Sequence, residues 1–556
     1  PRKSPCIALR PAADDSLRPM TLHFSLLSAM CALALIPASP QDPGGDGGSA
    51  PSPPHIIFFM IDDLGWRDLE PAAWTPLTEA QNSDGEEASS ARHFLTPHIA
   101  RLGAESIRFS DAYAAAPVCT PTRTSLMLGQ SPARTGITYW TKEVDRDQSS
   151  PFPRGAPVLG APSWRVNGIQ PGEETLASRL AAASYRTIHA GKAHFGTGPG
   201  GDPAALGFDV NIAGWAGGGP GSYLGIDGFS AAGRQGRAGK AGAGNHAWDV
   251  PGLDAYHGKD VFLTDVLAIE AEAALRRGVA DGQRVFLHFA PYAVHAPLMV
   301  NERVRDRFPD LEGPELAYAT LVASADDAVG KILAAVEDLG IAGETLVVFT
   351  SDNGGLSAHG RGGKRHTHNR PLRSGKGSAY EGGIRVPLMV RWPGVTAAGV
   401  VTHEPVVTQD LFRTLLAAAG ASQANSGATG LNLRPLLGGE APQVPRSIIW
   451  HQPHYWGVAG PGIEPYSAIR MGRWKLIYFH SSVTQEDGEA VRRPVPRFEL
   501  YDLARDIVEQ HDLSVERPDV VARLAEWLSL HLEAGGAGMS INLETDQPVP
   551  LPREIA

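Results

Sequence analysis

Cysteine is nearly absent from this chain of 556 residues, which holds three. Two of them, Cys6 and Cys31, lie in the first 31 residues. A disulfide needs a second thiol and a structural zinc site three or four ligands, so Cys119, alone in the remaining chain, suits neither. Positive charge is scarce as well: 49 Lys and Arg stand against 60 Asp and Glu, a net charge of −11. That balance argues against a nucleic-acid partner, which usually meets a basic patch. An anionic substrate would have to be held by cations local to its pocket. Long apolar runs are also missing, and residues 24–36 are too few for a stable membrane span. They match the apolar core of a signal peptide that starts at Met20 and ends near Pro37-Ala38-Ser39-Pro40. The reading is an exported protein, periplasmic or extracellular, with residues 1–53 as upstream extension, signal peptide and linker.

What is present is a set of short apolar runs, each followed by polar residues of a particular kind. His55-Ile56-Ile57-Phe58-Phe59-Met60-Ile61 runs into Asp62-Asp63. Tyr185-Arg186-Thr187-Ile188-His189-Ala190 runs into Gly191-Lys192-Ala193-His194, and Arg284-Val285-Phe286-Leu287-His288-Phe289-Ala290 leads to His295. Thr345-Leu346-Val347-Val348-Phe349-Thr350 runs into Asp352-Asn353. Continuous apolar runs separated by helical stretches (such as about 316–338) predict a large, mainly parallel sheet between helices. Ligands of such sheets bind beyond the carboxyl ends of the strands, which is where these side chains fall. From about residue 426 the pattern changes to short strands at 447–450, 467–470, 474–479 and 498–501, with a helix at about 517–533. The organisation predicted is a catalytic domain over 54–425, a C-terminal antiparallel sheet with one helix over 426–540, and a tail over 541–556. Residues 66–96 and 141–170 read as loops, and the glycine-rich stretch 214–244 as an extended loop near the pocket.

Asp62, Asp63, Asp352 and Asn353 offer hard oxygen ligands, which suit Ca²⁺ or Mg²⁺ better than zinc. Either pair alone would read as a polar turn; at one sheet edge together they read as a metal site. Cys119 stands at the start of a predicted helix that ends at Gly129, with Pro121 in its first turn and Arg123 about one turn on. Backbone N–H groups at such a start favour an anion. Lys192, His194, His295 and Lys376 are unremarkable singly. As a set they supply cations and proton carriers for an anionic ester.

The run Val118-Cys119-Thr120-Pro121-Thr122-Arg123-Thr124-Ser125-Leu126-Met127-Leu128-Gly129 resembles the signature of the type I sulfatases, of the alkaline-phosphatase-like superfamily, in which this cysteine is converted to formylglycine. The resemblance extends over about residues 54–535. It includes Thr96-Pro97-His98-Ile99-Ala100-Arg101-Leu102, Gly191-Lys192-Ala193-His194-Phe195-Gly196, Tyr292-Ala293-Val294-His295-Ala296-Pro297, Ser351-Asp352-Asn353-Gly354-Gly355 and Arg373-Ser374-Gly375-Lys376-Gly377. It implies an alkaline-phosphatase-like sandwich and hydrolysis of a sulfated carbohydrate or aryl sulfate. It also implies Ca²⁺ (Mg²⁺ as second choice) held by Asp62, Asp63, Asp352, Asn353 and residue 119, and maturation by a formylglycine-generating enzyme. By the same resemblance Arg123 holds the formylglycine, Lys192 and Lys376 clamp the sulfate, His194 deprotonates the spare hydroxyl of the hydrated aldehyde, and His295 protonates the leaving alcohol. An unmodified thiol would leave a thiosulfate-like ester that is slow to clear. The hydrate attacks through one hydroxyl and later expels sulfate through the other. Two other functions stay open at this point: a phospho- or phosphonate-ester hydrolase on the same scaffold, and an unmatured, inactive binding homologue. The family's Gly-Lys-Trp-His-Leu-Gly reads Gly-Lys-Ala-His-Phe-Gly here, which removes a large ring expected beside the pocket. The region Trp450-His451-Gln452-Pro453-His454-Tyr455-Trp456 reads equally as a sugar-stacking rim or a packed domain junction.

Overall fold

The structure is a computed structural model. It describes residues 52–70, 94–149, 157–234, 246, 248–356, 369–424, 427–441, 446–486 and 489–556. The expected upstream extension with Cys6, the expected signal peptide with Cys31, most of the loop expected at 66–96, and parts of those expected at 141–170 and 214–244 lie outside the described residues.

Eight strands form the large sheet: β1 (His55–Ile61), β2 (Ile107–Phe109), β3 (Tyr185–Gly191), β4 (Val210–Ile212), β5 (Arg284–Ala290), β6 (Thr345–Ser351), β7 (Leu388–Arg391) and β8 (Val401–Thr402). Their order across the sheet is β8-β2-β7-β6-β1-β5-β3-β4. β1 pairs in parallel with both β5 and β6, and β3 in parallel with β4 and β5. Only β7 runs against its neighbours β6 and β2. The mainly parallel sheet is therefore as expected, and the carboxyl ends of β1, β3, β5 and β6 share one edge.

The apolar runs explain the position of this sheet. In a strand successive side chains point to opposite faces, so an unbroken apolar run needs cover on both. Ile57, Phe59 and Ile61 of β1 enter one apolar layer, and Ile56, Phe58 and Met60 the other. Helices α1 (Pro97–Ala104), α4 (Leu263–Ala280) and α5 (Gly313–Asp338) cover the first face. Helices α2 (Cys119–Leu128), α3 (Leu176–Ala182) and α6 (Asp410–Ala418) cover the second. Each fully buried Ile or Phe contributes about 1.5–3 kcal/mol, so the centre of the sheet is its firmest part.

The C-terminal strands β9 (Ser447–Gln452), β10 (Tyr466–Met471), β11 (Trp474–Phe479) and β12 (Arg497–Asp502) form an antiparallel sheet in chain order. Helix α7 (Pro518–Gly535) packs on one face through Val520, Leu524, Leu528 and Leu532. The other face, with Ile448, Trp450, Ala468 and Ile477, meets Tyr113, Tyr380 and Ile384 of the large domain. Trp450 Nε1 donates to Ala114 O at 2.9 Å. His451, Gln452, His454 and Tyr455 are buried too, so this region is a packed junction and only Trp456 is part-exposed. Residues 541–556 are built into the fold: Ile541–Asn542 pairs with Leu159–Gly160 and with Gln547–Pro548. Ala193 and Phe195 both lie in the second apolar layer, where Phe195 stacks on Phe208. The departure from the family's tryptophan thus falls within packing.

Candidate active site

Parallel strands bring the predicted residues together. Asp62 and Asp63 follow β1, Lys192 and His194 follow β3, His295 follows β5, and Asp352 and Asn353 follow β6. Cys119 opens α2, after the extended cap residue Val118, and the whole helix is buried. Lys376 arrives from a different direction, on the loop that precedes Glu381.

The centre is a buried cluster of three carboxylates and three cations. Lys192 Nζ donates to both oxygens of Asp62, at 2.7 and 2.8 Å. Arg123 Nε donates to Asp352 Oδ2 at 2.8 Å, Nη1 to Lys192 O at 2.8 Å, and Nη2 stands 3.6 Å from Asp62 Oδ1. Lys376 Nζ donates to Asp63 Oδ1 at 2.5 Å and to Cys119 Sγ at 3.1 Å. Asn353 Nδ2 donates to Asp63 Oδ1 at 2.8 Å, and the Asp63 N–H to Asp352 Oδ1 at 3.1 Å. Cys119 Sγ lies 3.9 Å from Asp62 Oδ1. Both lysines expected to clamp the substrate's anion therefore rest on carboxylates here.

Burial and charge set the protonation states. Burial pushes the Cys119 thiol up to about 11, against the pull of Lys192 and Lys376, so an unmodified Cys119 is a neutral thiol at physiological pH. Burial also pushes the Asp62 carboxyl well up, with Lys192 opposing and the neighbouring Asp352 and Asp63 charges adding to it. For Asp63 burial is outweighed by Lys376 and Lys192, and for Asp352 by Arg123 and Lys192, which hold it down to about 2.

The cluster is not complete in itself. Asp63 Oδ2 and Asn353 Oδ1 are buried acceptors without a hydrogen-bond partner, and Arg123 Nη2 is a buried donor without one. An orphaned buried polar atom costs about 1–3 kcal/mol, so such atoms mark a place built for something else. Two oxygen acceptors beside Asp62 and Asp352 fit a hard divalent cation. One oxygen of Asp62, one of Asp352 and Cys119 Sγ lie within 4.8 Å of one another, as do ligand atoms of Asp63, Cys119 and His295.

The two histidines face the cluster with defined hydrogen bonds. His194 Nε2 donates to Thr141 O at 2.8 Å, which leaves Nδ1 as an unprotonated, buried and unpartnered acceptor. Burial, then Lys192, hold this imidazole well below its usual range. His295 Nδ1 donates to Ala296 O at 2.7 Å and Nε2 stands 3.8 Å from Asp63 Oδ2. Asp63 and His194 both adopt left-handed backbone, with φ of 59° and 54°. Non-glycine residues held there are uncommon and gather at functional sites.

Three further residues shape the site. A Cβ on Gly218 would stand 2.5 Å from His194 Cε1, and one on Gly219 would stand 2.9 Å from His295 Nδ1, so only glycine lets this loop close over both rings. Thr141 acts through its carbonyl oxygen. The sequence marks the loop by its glycine content but not the two positions, and a backbone contact such as that of Thr141 leaves no residue-type signal.

The family model for sulfatases matches residues 54–421. A second, described as N-sulphoglucosamine sulphohydrolase, C-terminal, matches residues 375–533. Arylsulfatase A of Homo sapiens is 32% identical over 493 residues, covering 83% of each chain. N-acetylgalactosamine-6-sulfatase of Canis lupus familiaris is 32% identical over 514 residues, covering 88% of this chain and 87% of its own. Among solved structures, that of Ps i-CgsB in complex with k-i-k-neocarrahexaose superposes with a TM-score of 0.64 at 25% identity, covering 91% of this chain and 96% of the other. With the sheet, the buried ion cluster and Cys119 at a helix start already in view, these matches identify the chain as a member of the sulfatase family, enzymes that hydrolyse sulfate esters.

Proposed function

We propose that this protein is an exported sulfatase that removes sulfate from a sulfated carbohydrate, with residue 119 acting as formylglycine beside a bound Ca²⁺. The observation that carries the reading is the pair of orphaned acceptors, Asp63 Oδ2 and Asn353 Oδ1, in a buried cluster whose Lys376 ammonium reaches residue 119. Asp62, Asp63, Asp352, Asn353 and residue 119 would hold the cation, which would supply Lewis-acid charge at the ester. Formylglycine, made from Cys119 by a maturation enzyme, would supply a nucleophile that a neutral thiol of raised pKa does not.

The chain's own groups do the rest. Arg123, pinned by Asp352 and by Lys192 O, holds residue 119 in register. Lys192 and Lys376, whose ammonium groups rest on Asp62 and Asp63, are the cations that would bind the sulfate oxygens. His194 Nδ1 is the atom that takes a proton from residue 119, because Nε2 is committed to Thr141 O. His295 Nε2 carries the proton given to the leaving alcohol, with Nδ1 committed to Ala296 O. A carbohydrate substrate agrees with the sugar in the name of the N-acetylgalactosamine-6-sulfatase relative and with the ligand of the Ps i-CgsB complex. Among the described residues no helix is long and apolar enough to cross a membrane. The sulfatase relatives do not favour a phospho- or phosphonate-ester hydrolase. Rates on an aryl sulfate and the matching aryl phosphate test the assignment: sulfate turnover should dominate, and dominant phosphate turnover would overturn it.

A further inference from the structure

Lys376 sits on a loop, yet its ammonium must meet residue 119 within hydrogen-bond reach. Its own backbone is anchored in the large domain, with Lys376 N donating to Gly355 O at 3.0 Å and Gly377 N to Pro117 O at 2.8 Å. The flanks are anchored on the loop between β9 and β10. Ser374 Oγ and Ser378 Oγ both donate to Pro461 O, at 2.8 and 2.9 Å. Beyond them the loop ends at Glu381, whose carboxylate is fully buried. Lys475 of β11, also fully buried, donates from Nζ to Glu381 Oε1 at 2.9 Å and to Glu509 Oε1 at 2.8 Å. Glu509 closes the connection twice: Oε2 accepts from Glu381 N at 2.7 Å, and its backbone oxygen accepts from Arg373 Nη1 at 2.7 Å. The two ends of the Lys376 loop, Arg373 and Glu381, are thus tied to a buried pair, Lys475 on β11 and Glu509 in the segment after β12.

We propose that Lys475, with Glu509, is a positioning residue for Lys376, fixing the 373–381 loop so that the ammonium meets residue 119 and the sulfate. The inference rests on the proposed action of Lys376 on sulfate. A buried ion pair is a weak stabiliser compared with apolar packing of the same volume, whereas its hydrogen bonds fix direction. Lys475 is more than 90 residues from Lys376 in the chain and is joined to its loop through Glu381 and Glu509.

The test uses the full-length matured enzyme as wild type, Lys475→Met, Lys475→Arg and Glu509→Gln. Hydrogen exchange read by mass spectrometry compares the peptide over 374–381 with that over β6. The expected result for Lys475→Met and Glu509→Gln is exchange of the loop amides faster by about 10-fold with β6 unchanged. On an aryl sulfate, kcat should fall roughly 10- to 100-fold with KM little altered, the scale on which a misplacement of about 1 Å acts. Lys475→Arg should recover part of the rate. If Lys475→Met does not fold, Glu509→Gln, which keeps the Lys475–Glu381 bond, carries the test. Unchanged loop exchange in folded variants, with activity tracking only the folded amount, would overturn the proposal. A loosened loop with undiminished kcat would support the tie itself and overturn the role given to Lys376.

Discussion

Two buried ion clusters in this molecule differ in how fully their polar atoms are paired. At the sheet edge, Asp62, Asp63, Asp352, Arg123, Lys192 and Lys376 leave Asp63 Oδ2, Asn353 Oδ1, Arg123 Nη2 and His194 Nδ1 without hydrogen-bond partners. At the junction of the C-terminal sheet with the rest of the fold, Glu381, Glu509, Lys475, Arg385, Arg470 and Tyr113 have, among the described residues, no buried side-chain nitrogen or oxygen lacking one. Arg385 Nε donates to Glu381 Oε2 at 2.7 Å, Tyr113 OH to the same oxygen at 2.8 Å, and Arg385 and Arg470 both pair with Asp111. Buried polar groups are satisfied as a rule, so the junction is what a structural network should be. The sheet edge is what a site awaiting partners should be.

That contrast predicts that mutations at the two clusters fail in different ways. The largest effect on activity belongs to Cys119→Ala, which should abolish turnover while moving the thermal midpoint little; retained turnover would place the nucleophile elsewhere. Next comes removal of divalent cations by a chelator. Activity should be lost, and Ca²⁺ should restore it while raising thermal stability, by about 2.7 kcal/mol at a concentration 100 times its Kd. Full activity in metal-free protein would break the comparison at its first term. Lys475→Met should cost stability as well as rate, about 3–5 kcal/mol in denaturant unfolding, because Glu509 is left buried without a cation and Glu381 keeps only Arg385. A cost below about 1 kcal/mol would show that the junction network relaxes easily.

The smallest effect is one of pH. Burial pushes the Glu509 carboxyl up to about 7, against an ordinary value of 4.5, while Glu381 is held down to about 2 as Lys475 and Arg385 outweigh burial. Between pH 4.5 and 7 the folded state keeps a proton on Glu509 that the unfolded chain has released, so this group lowers stability as pH rises. Glu381 works the other way and only below 4.5, where its contribution is lost as pH falls. Glu509→Gln should therefore flatten the fall in thermal midpoint between pH 5 and 7. An unchanged slope would contradict the assignment.

The two clusters also differ in how far the sequence discloses them. Asp62, Asp63, Lys192 and Asp352-Asn353 are legible because each follows an apolar run by one or two residues, and parallel strands must carry such residues to one edge. Lys376 is not legible in that way, since no strand delivers it, and its place came from motif resemblance. The junction cluster leaves no local trace: Glu381 opens a short helix, Lys475 lies on β11 and Glu509 follows β12, and only tertiary packing brings them together. The same packing explains why Trp450 and His454 read ambiguously as rim or core. Gly218, Gly219 and Thr141 escape because their contribution is backbone or the lack of a side chain.

The chemical identity of residue 119 in working enzyme decides the mechanism. Mass spectrometry of the peptide containing Cys119, taken from preparations of graded specific activity, measures this directly. Activity should rise in proportion to the lighter, aldehyde-bearing form, with its carbonyl trapped by a hydrazide reagent. Full activity in a preparation whose residue 119 is entirely the unmodified thiol would contradict it.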